Sequence, residues 1–390
     1  MKKLITIIVL CSWLTPLQAI AQSEAAAKGP KEKMNMKVFK DSLDGNLDMS
    51  AFLIDFHGFI PVPQLITEPA LGSIGILLTP IFIQPNKHAA KGKYVPPDIT
   101  AGFVGYTANK SWGFGGLRIA SLPQYHLKYR AGAAHGDVNM DFFRQFPVIG
   151  EQKFAFNFQM TAAFASVLRQ IGETDLYIGL EYLFLHNRVH PELELDPLPD
   201  FIGDHDFNNN LSSIGLDIEY DKRDNVFTPN TGWYIVSDFR VNDNWTGSDY
   251  TYQNFNTAVL KFFQPTKKWV SGFRFETKAQ FGKAPFYMKP SISMRGVPMS
   301  RYQGNQTYVL ETEQRYDFNL RWSGVLFTGI AKAPTDEVSF ADSKTVYNLG
   351  TGFRYLLARK FGLRTGIDVA MSNEDWGWYI VFGHAWNNRN

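Results

Sequence analysis

The sequence predicts an all-β protein, a transmembrane antiparallel β-barrel of about sixteen strands behind a short N-terminal periplasmic segment. Three observations predict it. The chain opens with an export signal and then has no apolar run long enough for a membrane helix. It is 15 % aromatic with 32 Gly and a net charge of only +2. From the middle of the chain onward, apolar and polar residues alternate with period two.

The first residues, MKKLITIIVLCSWLTPLQAIAQ, place Lys2 and Lys3 before an apolar run from Leu4 to Leu14, with Ala19 and Ala21 at cleavage-site spacing ahead of Gln22. The expected division is therefore 1–21 signal peptide, 22–69 short periplasmic segment and 70–390 barrel. Cys11 is the only cysteine and lies inside the apolar run after Leu10, which argues against a lipid attachment site. The exported chain then has no thiol, so neither a disulfide nor a thiolate metal site is expected. No window after the signal approaches the ~18 apolar residues of a spanning helix, so residence in a membrane requires a barrel. Near-neutral charge without a basic block argues against a nucleic-acid partner.

The alternation is clear in four places. Ile214, Leu216, Ile218 and Tyr220 oppose Gly215, Asp217, Glu219 and Asp221; Phe273, Phe275, Ala279 and Phe281 oppose Arg274, Glu276, Lys278 and Gln280. Tyr347, Leu349, Phe353 and Tyr355 oppose Asn348, Gly350, Gly352 and Arg354, and Phe361, Leu363, Ile367 and Val369 oppose Gly362, Arg364, Gly366 and Asp368. A soluble sandwich would give the same pattern. The aromatic content of the apolar face, with Trp233, Trp269, Trp322, Trp376, Trp378 and Tyr379 near strand ends, favours lipid on that side and a polar lumen on the other.

Expected strands cover 70–83, 98–108, 112–121, 125–134, 138–146, 153–168, 175–188, 210–221, 232–241, 250–263, 269–282, 307–319, 320–331, 345–358, 361–371 and 376–386. Short joints at Asn109–Ser111, His135–Asp137, Gln170–Thr174, Pro265–Lys268 and Arg359–Lys360 are read as periplasmic turns. Long joints at Val189–Asn209, Lys283–Gln306 and Lys332–Lys344 are read as outer loops, with both chain ends periplasmic.

The segment EYDKRDNVFTPNTGWYI carries Asp221, Arg223, Asp224, Pro229 and Gly232; SMRGVP carries Arg295 and Gly296; ETEQRYDF follows; and GLRTGIDVAMSNEDWGWYIVFGHAW closes the chain with Asp368, Gly383 and Trp386. In this order they resemble the barrel of the BamA/TamA surface-antigen superfamily, over roughly Thr67 to Trp386. Val297 stands where that family usually has an aromatic, Gly329 where it often has an Asp, and four residues follow Trp386. The segment 22–69 is too short for a compact POTRA domain, so the chain reads as a short form without one.

The resemblance implies that the loop from Lys283 to Gln306 enters the lumen and sets Arg295 and Gly296 against inward carboxylates, Glu311, Glu313 and Asp368, as a loop lock. A solvated surface loop is the plain alternative. It also implies a lateral seam between the first and last strands, weakened by Gly72, Gly75, Gly377 and Gly383, although these glycines also serve curvature. The implied function is assisting insertion or transport of protein or lipid at the bacterial outer membrane. The partners would be membrane lipid, a separate periplasmic or POTRA-bearing protein, and a second copy in a homo-oligomer. A passive porin-like channel is the alternative from another class, and a structural surface antigen a third. The carboxylate-rich stretch from His190 to Asn210 lacks fixed ligand spacing and reads as a solvated loop. His126, His135, His186 and His384 are scattered without a nucleophile at strand spacing, so neither enzyme activity nor a metal or cofactor is expected.

Overall fold

The computed structural model describes residues 39–55, 59–66, 74–84, 98–146, 150–191 and 207–386, with positions 68, 71, 72 and 86. The signal peptide expected at 1–21 and most of the acidic loop, 192–206, lie outside the described residues. Among the described residues no helix is long and apolar enough to cross a membrane. A short helix, α1 (Ser50–Asp55), precedes sixteen strands. The first eight are β1 (Phe59–Ile66), β2 (Gly75–Gln84), β3 (Asp98–Thr107), β4 (Trp112–Leu122), β5 (Leu127–Phe146), β6 (Gly150–Gln170), β7 (Leu176–Pro191) and β8 (Asn208–Asp221). The second eight are β9 (Gly232–Asn242), β10 (Tyr252–Thr266), β11 (Trp269–Gly282), β12 (Gln306–Asp317), β13 (Trp322–Lys332), β14 (Val346–Ala358), β15 (Leu363–Ser372) and β16 (Trp376–Phe382). Each pairs antiparallel with the next in one sheet, which curls into a nearly closed barrel.

The expected count of strands holds, but two errors cancel within it. The HGD tripeptide at His135–Asp137 looks like a hairpin turn, yet β5 runs straight through it, paired with β6 from Leu127↔Arg169 to Phe146↔Gly150. The missing strand is β1, inside the segment expected to be periplasmic; its PVP tripeptide argues against a strand only where both edges must donate. The sheet thus begins at Phe59 rather than Ala70, and Gly72 lies in the β1–β2 turn at φ +83°. The Asn109–Ser111 joint, expected to be periplasmic, is at the long-loop end, because β1 and the unbroken β5 reset the alternation.

β1 explains why the sheet is left open. Two residues facing each other in a hydrogen-bonded antiparallel pair exchange both N–H···O bonds, and Pro61 faces Pro80. Neither has an N–H, so this is a non-bonded pair and the backbone nitrogens of Pro61 and Pro63 point to the free edge. That edge therefore lacks two donors in succession. Among the described residues no register joins it to β16.

Cross-strand partners share a face, so the register carries each face around the sheet. From Arg274 the inner face passes through Glu311, Gly329 and Asn348. Their neighbours Leu310, Ile330 and Tyr347 point outward and are more than half exposed. On β14 the outward Tyr347 and Tyr355 mark two aromatic belts. Eight residues at ~3.3 Å each, tilted ~40°, separate them by ~20 Å across the barrel wall.

The lumen is not polar throughout, contrary to expectation. In β2–β6 the inner face carries Leu77, Ile81, Phe103, Leu117, Ile119 and Phe164, while Ile76, Leu78, Phe82, Val104 and Phe114 point outward. A strand that is apolar on both faces reads as a continuous run, GILLTPIFIQ in β2, and gives no period-two signal.

Candidate functional site: the loop in the lumen

The loop between β11 and β12 folds inward rather than outward. Gly282, at φ +93°, turns the chain off β11. Phe286 then packs on Phe142 and Phe156, ring centroids 5.2 and 5.0 Å apart, and Gln280 Nε2 donates to the Met288 carbonyl at 2.9 Å. Ser291 and Gln303 pair across the base of the loop. Its tip seats Ile292, Met294 and Val297 on Val309, Ala331 and Val346 of the wall, so Val297 fills an aliphatic socket.

At that tip Arg295 is buried. Its Nη1 donates to Glu313 Oε2 at 2.8 Å and to Asp368 Oδ2 at 2.6 Å, and its guanidinium lies 3.3 Å above the Phe327 ring. Nε and Nη2 have no acceptor, so the ring face supplies their electrostatic partner. Gly296 donates its N–H to the Tyr379 hydroxyl at 2.8 Å, and Ser372 Oγ donates to its carbonyl at 2.7 Å. At φ +85°, and with backbone atoms of Ala370 and Met371 only 3.1–3.2 Å from where a Cβ would stand, the position favours glycine.

Two further arginines complete the network. Arg354 holds Asp368 through Nη1 at 2.5 Å and Nη2 at 3.0 Å. Arg274 binds Glu276 and Glu311, both at 2.5 Å. Of the residues expected around Arg295, Glu313 and Asp368 touch it. Glu311 instead serves Arg274, Asn348 and the indole N–H of Trp386. Gly329, in place of an acidic residue, leaves room: a Cβ there would lie 2.6 Å from Glu311 Cγ. Arg274, Arg295 and Arg354 with Lys278 face Glu276, Glu311, Glu313 and Asp368, four charges against four. Arg274 and Arg354 stand on the polar side of the sequence alternation, which is the signal that could have found them.

The end of the chain also enters the lumen. β16 stops at Phe382, Gly383 turns at φ +78°, and Trp386 is buried against Phe262 and Gly272, so it is a plug residue and not part of a closing strand. The β8–β9 segment braces this tail from below. Arg223 grips Asp221 at 2.7 Å and lies 3.2 Å from His384 Nε2, and the Phe227 carbonyl accepts from the His384 N–H at 2.7 Å. Asp224 Oδ1 accepts from the N–H groups of Asn230 and Thr231, which follow Pro229, and Gly232 at φ +116° leaves no space for a Cβ beside the Lys222 carbonyl. Asp221, Arg223, Asp224, Pro229 and Gly232 all lie in or beside this β8–β9 turn. Gly75 and Gly377 sit within β2 and β16, near the open edges.

Residues 39–50, missed as structure from sequence, clasp the barrel at the end where the chain enters it. Arg321 donates to Asp44 and Asp48 at 2.7 Å and to Asp41 at 2.5 Å; Arg359 reaches Asp41 at 2.5 Å. The Met49 N–H donates to the Leu357 carbonyl at 2.7 Å. The hydrogen bond from Arg359 holds the Asp41 carboxyl well below the usual range, and that from Arg321 does the same for Asp44. With folded values depressed, their contribution is complete above the ordinary carboxylate value of about 4 and is lost as pH falls below it. A polarity-sensitive dye on Ser42→Cys should therefore report an unchanged clasp from pH 8 to 5 and release only in stronger acid. Release near neutrality would refute the assignment. Arg321→Ala with Arg359→Ala should release it at every pH.

A model of the Omp85 superfamily domain matches residues 141–303. That stretch runs from β5 through the inserted loop. That stretch, less than half of the chain, is similar to an Omp85 superfamily domain. No curated protein matches the chain. Among solved structures, BamA from Haemophilus ducreyi lacking POTRA domains 1–3 superposes with a TM-score of 0.56 at 11 % identity, over 89 % of this chain and 80 % of that one. CdiB from Escherichia coli gives 0.54 at 10 % identity, over 82 % and 62 %, and CdiB from Acinetobacter baumannii 0.54 at 10 %, over 83 % and 59 %. At that identity these likenesses bear on the fold. The chain spans less than two thirds of either CdiB. The antiparallel barrel of about sixteen strands expected from the sequence is thus the barrel observed, and the match over residues 141–303 agrees with the BamA/TamA resemblance.

Proposed function

We propose that this Omp85-like barrel resides in the bacterial outer membrane and assists insertion or transport there through a plugged lumen and a lateral seam, and not as an open pore. The observation that carries the reading is Arg295, buried inside the lumen and holding the loop to Glu313 on β12 and Asp368 on β15. A porin keeps its constriction wet. Here the loop, the tail to Trp386 and the charge network occupy the C-terminal half. The unpaired edges of β1 and β16 offer the remaining route, sideways into the membrane. A periplasmic partner would meet the clasp of residues 39–50. The test is single-channel conductance of the refolded protein, wild type beside a variant lacking 284–305. The wild type should be nearly silent and the variant should conduct steadily. Large wild-type conductance unaffected by the deletion would establish the porin reading instead.

A further inference from the structure

We infer that the apolar half of the lumen is a groove for the acyl chain of a membrane lipid, entered through the seam between β1 and β16. The inference rests on the lateral route proposed above and names what uses it.

In the charged half of the lumen cations and anions pair with one another. Among the described residues the loop meets the other half at its long-loop end, where Phe286 packs on Phe142 and Phe156 and Tyr287 on Phe158. Further toward the end where the clasp sits, Phe103 lies over Gly115 and Phe164 over Gly132, an apolar patch bounded at Ile119 by its cross-strand neighbour Arg130, which pairs with Glu219. On that patch Ile119 and Phe164 each keep 38 % of their surface exposed.

The chemistry of the wall selects its occupant. Leu77, Ile81, Phe103, Leu117, Ile119 and Phe164 offer neither donors nor acceptors, so a bound polypeptide would leave peptide groups unsatisfied at several kcal/mol each. A passing strand cannot recover those bonds on β1, where Pro61 and Pro63 present no N–H to the seam. A polar solute meets the same penalty. A hydrocarbon chain has no such groups to satisfy, and it is at hand: Ile76, Leu78 and Phe82 on the outer face of β2, one strand from the seam, are exposed for contact with lipid. The groove and the surrounding membrane are thus two faces of the same few strands, joined at an edge that hydrogen bonds do not close.

The test uses the full chain in vesicles of phosphatidylcholine carrying a diazirine in one acyl chain, with adducts mapped by mass spectrometry. Expected adducts fall on inward Leu117, Ile119 and Phe164 as well as on outward Val104 and Phe114. Leu117→Asn with Ile119→Asn should lower the inward adducts at least tenfold and leave the outward ones unchanged, which also controls for folding. Adducts confined to outward residues would overturn the inference. So would photo-crosslinks from Leu117→photoleucine to residues 85–97, which would show that the chain covers its own wall. Conductance separates the two readings: a silent barrel that opens on loop removal but shows no inward adducts refutes the lipid groove alone, whereas a conducting wild type refutes the plugged lumen beneath it.

Discussion

Asp368→Ala is expected to destabilise the barrel by about 3–5 kcal/mol, the cost of leaving a buried ion-pair partner uncompensated. Asp368 has no exposed surface and holds two guanidiniums, those of Arg295 and Arg354. Its removal leaves Arg354 with only a long 3.8 Å contact to Glu313 and the Phe353 carbonyl, leaves Arg295 with Glu313 as its one carboxylate, and releases the loop tip. The expected result in urea titrations of the refolded protein is a markedly lower midpoint, with heat-modifiability lost at lower temperature and protease cutting within 283–305. Asp368→Asn keeps the shape but not the charge, and should recover little. Arg295→Ala should cost less, because Arg354 stays on Asp368. If Asp368→Ala unfolded at the wild-type midpoint, the network would be a set of solvated charges and the lock would fail.

Trp386→Ala should also cost about 3–5 kcal/mol, here through a cavity. The indole is enclosed by Phe262, His384 and Gly272, where a Cβ would already come within 3.0 Å of the ring. Trp386→Phe should recover most of the loss and miss only the hydrogen bond to Glu311, about 1 kcal/mol. A wild-type midpoint for the alanine variant would mean that the tail is not lodged in the lumen.

The sequence was most legible where one face of a strand is polar. In β8, β11, β14 and β15 many inward residues are charged, polar or glycine, so period two is unmistakable and the face of Asp368 is legible, whereas a place for Arg295 in the lumen came only from the family resemblance. In β1–β4 both faces are apolar and the pattern vanishes, taking the boundaries with it. Glycine gave mixed signals for the same reason. Gly296 and Gly232 are required by positive φ and close backbone, whereas Gly136 is an ordinary strand residue that resembles a turn because Asp137 follows it. Glu311 was assigned to the wrong arginine, since alternation gives the face a side chain occupies but not which of several inward cations it reaches. The clasp was missed because Asp41, Asp44 and Asp48 look like a polar linker until their arginines arrive from the other end of the chain.

That separation orders assembly. Asp41 meets Arg321 and Arg359 across 280 and 318 positions. Contacts so distant in sequence close only after the intervening chain is arranged, and their loop entropy makes them late. The residues nearest the start of the described chain therefore cannot be seated until the turns before β13 and β15 exist. An incomplete or misregistered barrel would leave Asp41, Asp44 and Asp48 unpaired and residues 39–50 open to proteases, so a seated clasp certifies that the last strands are in place.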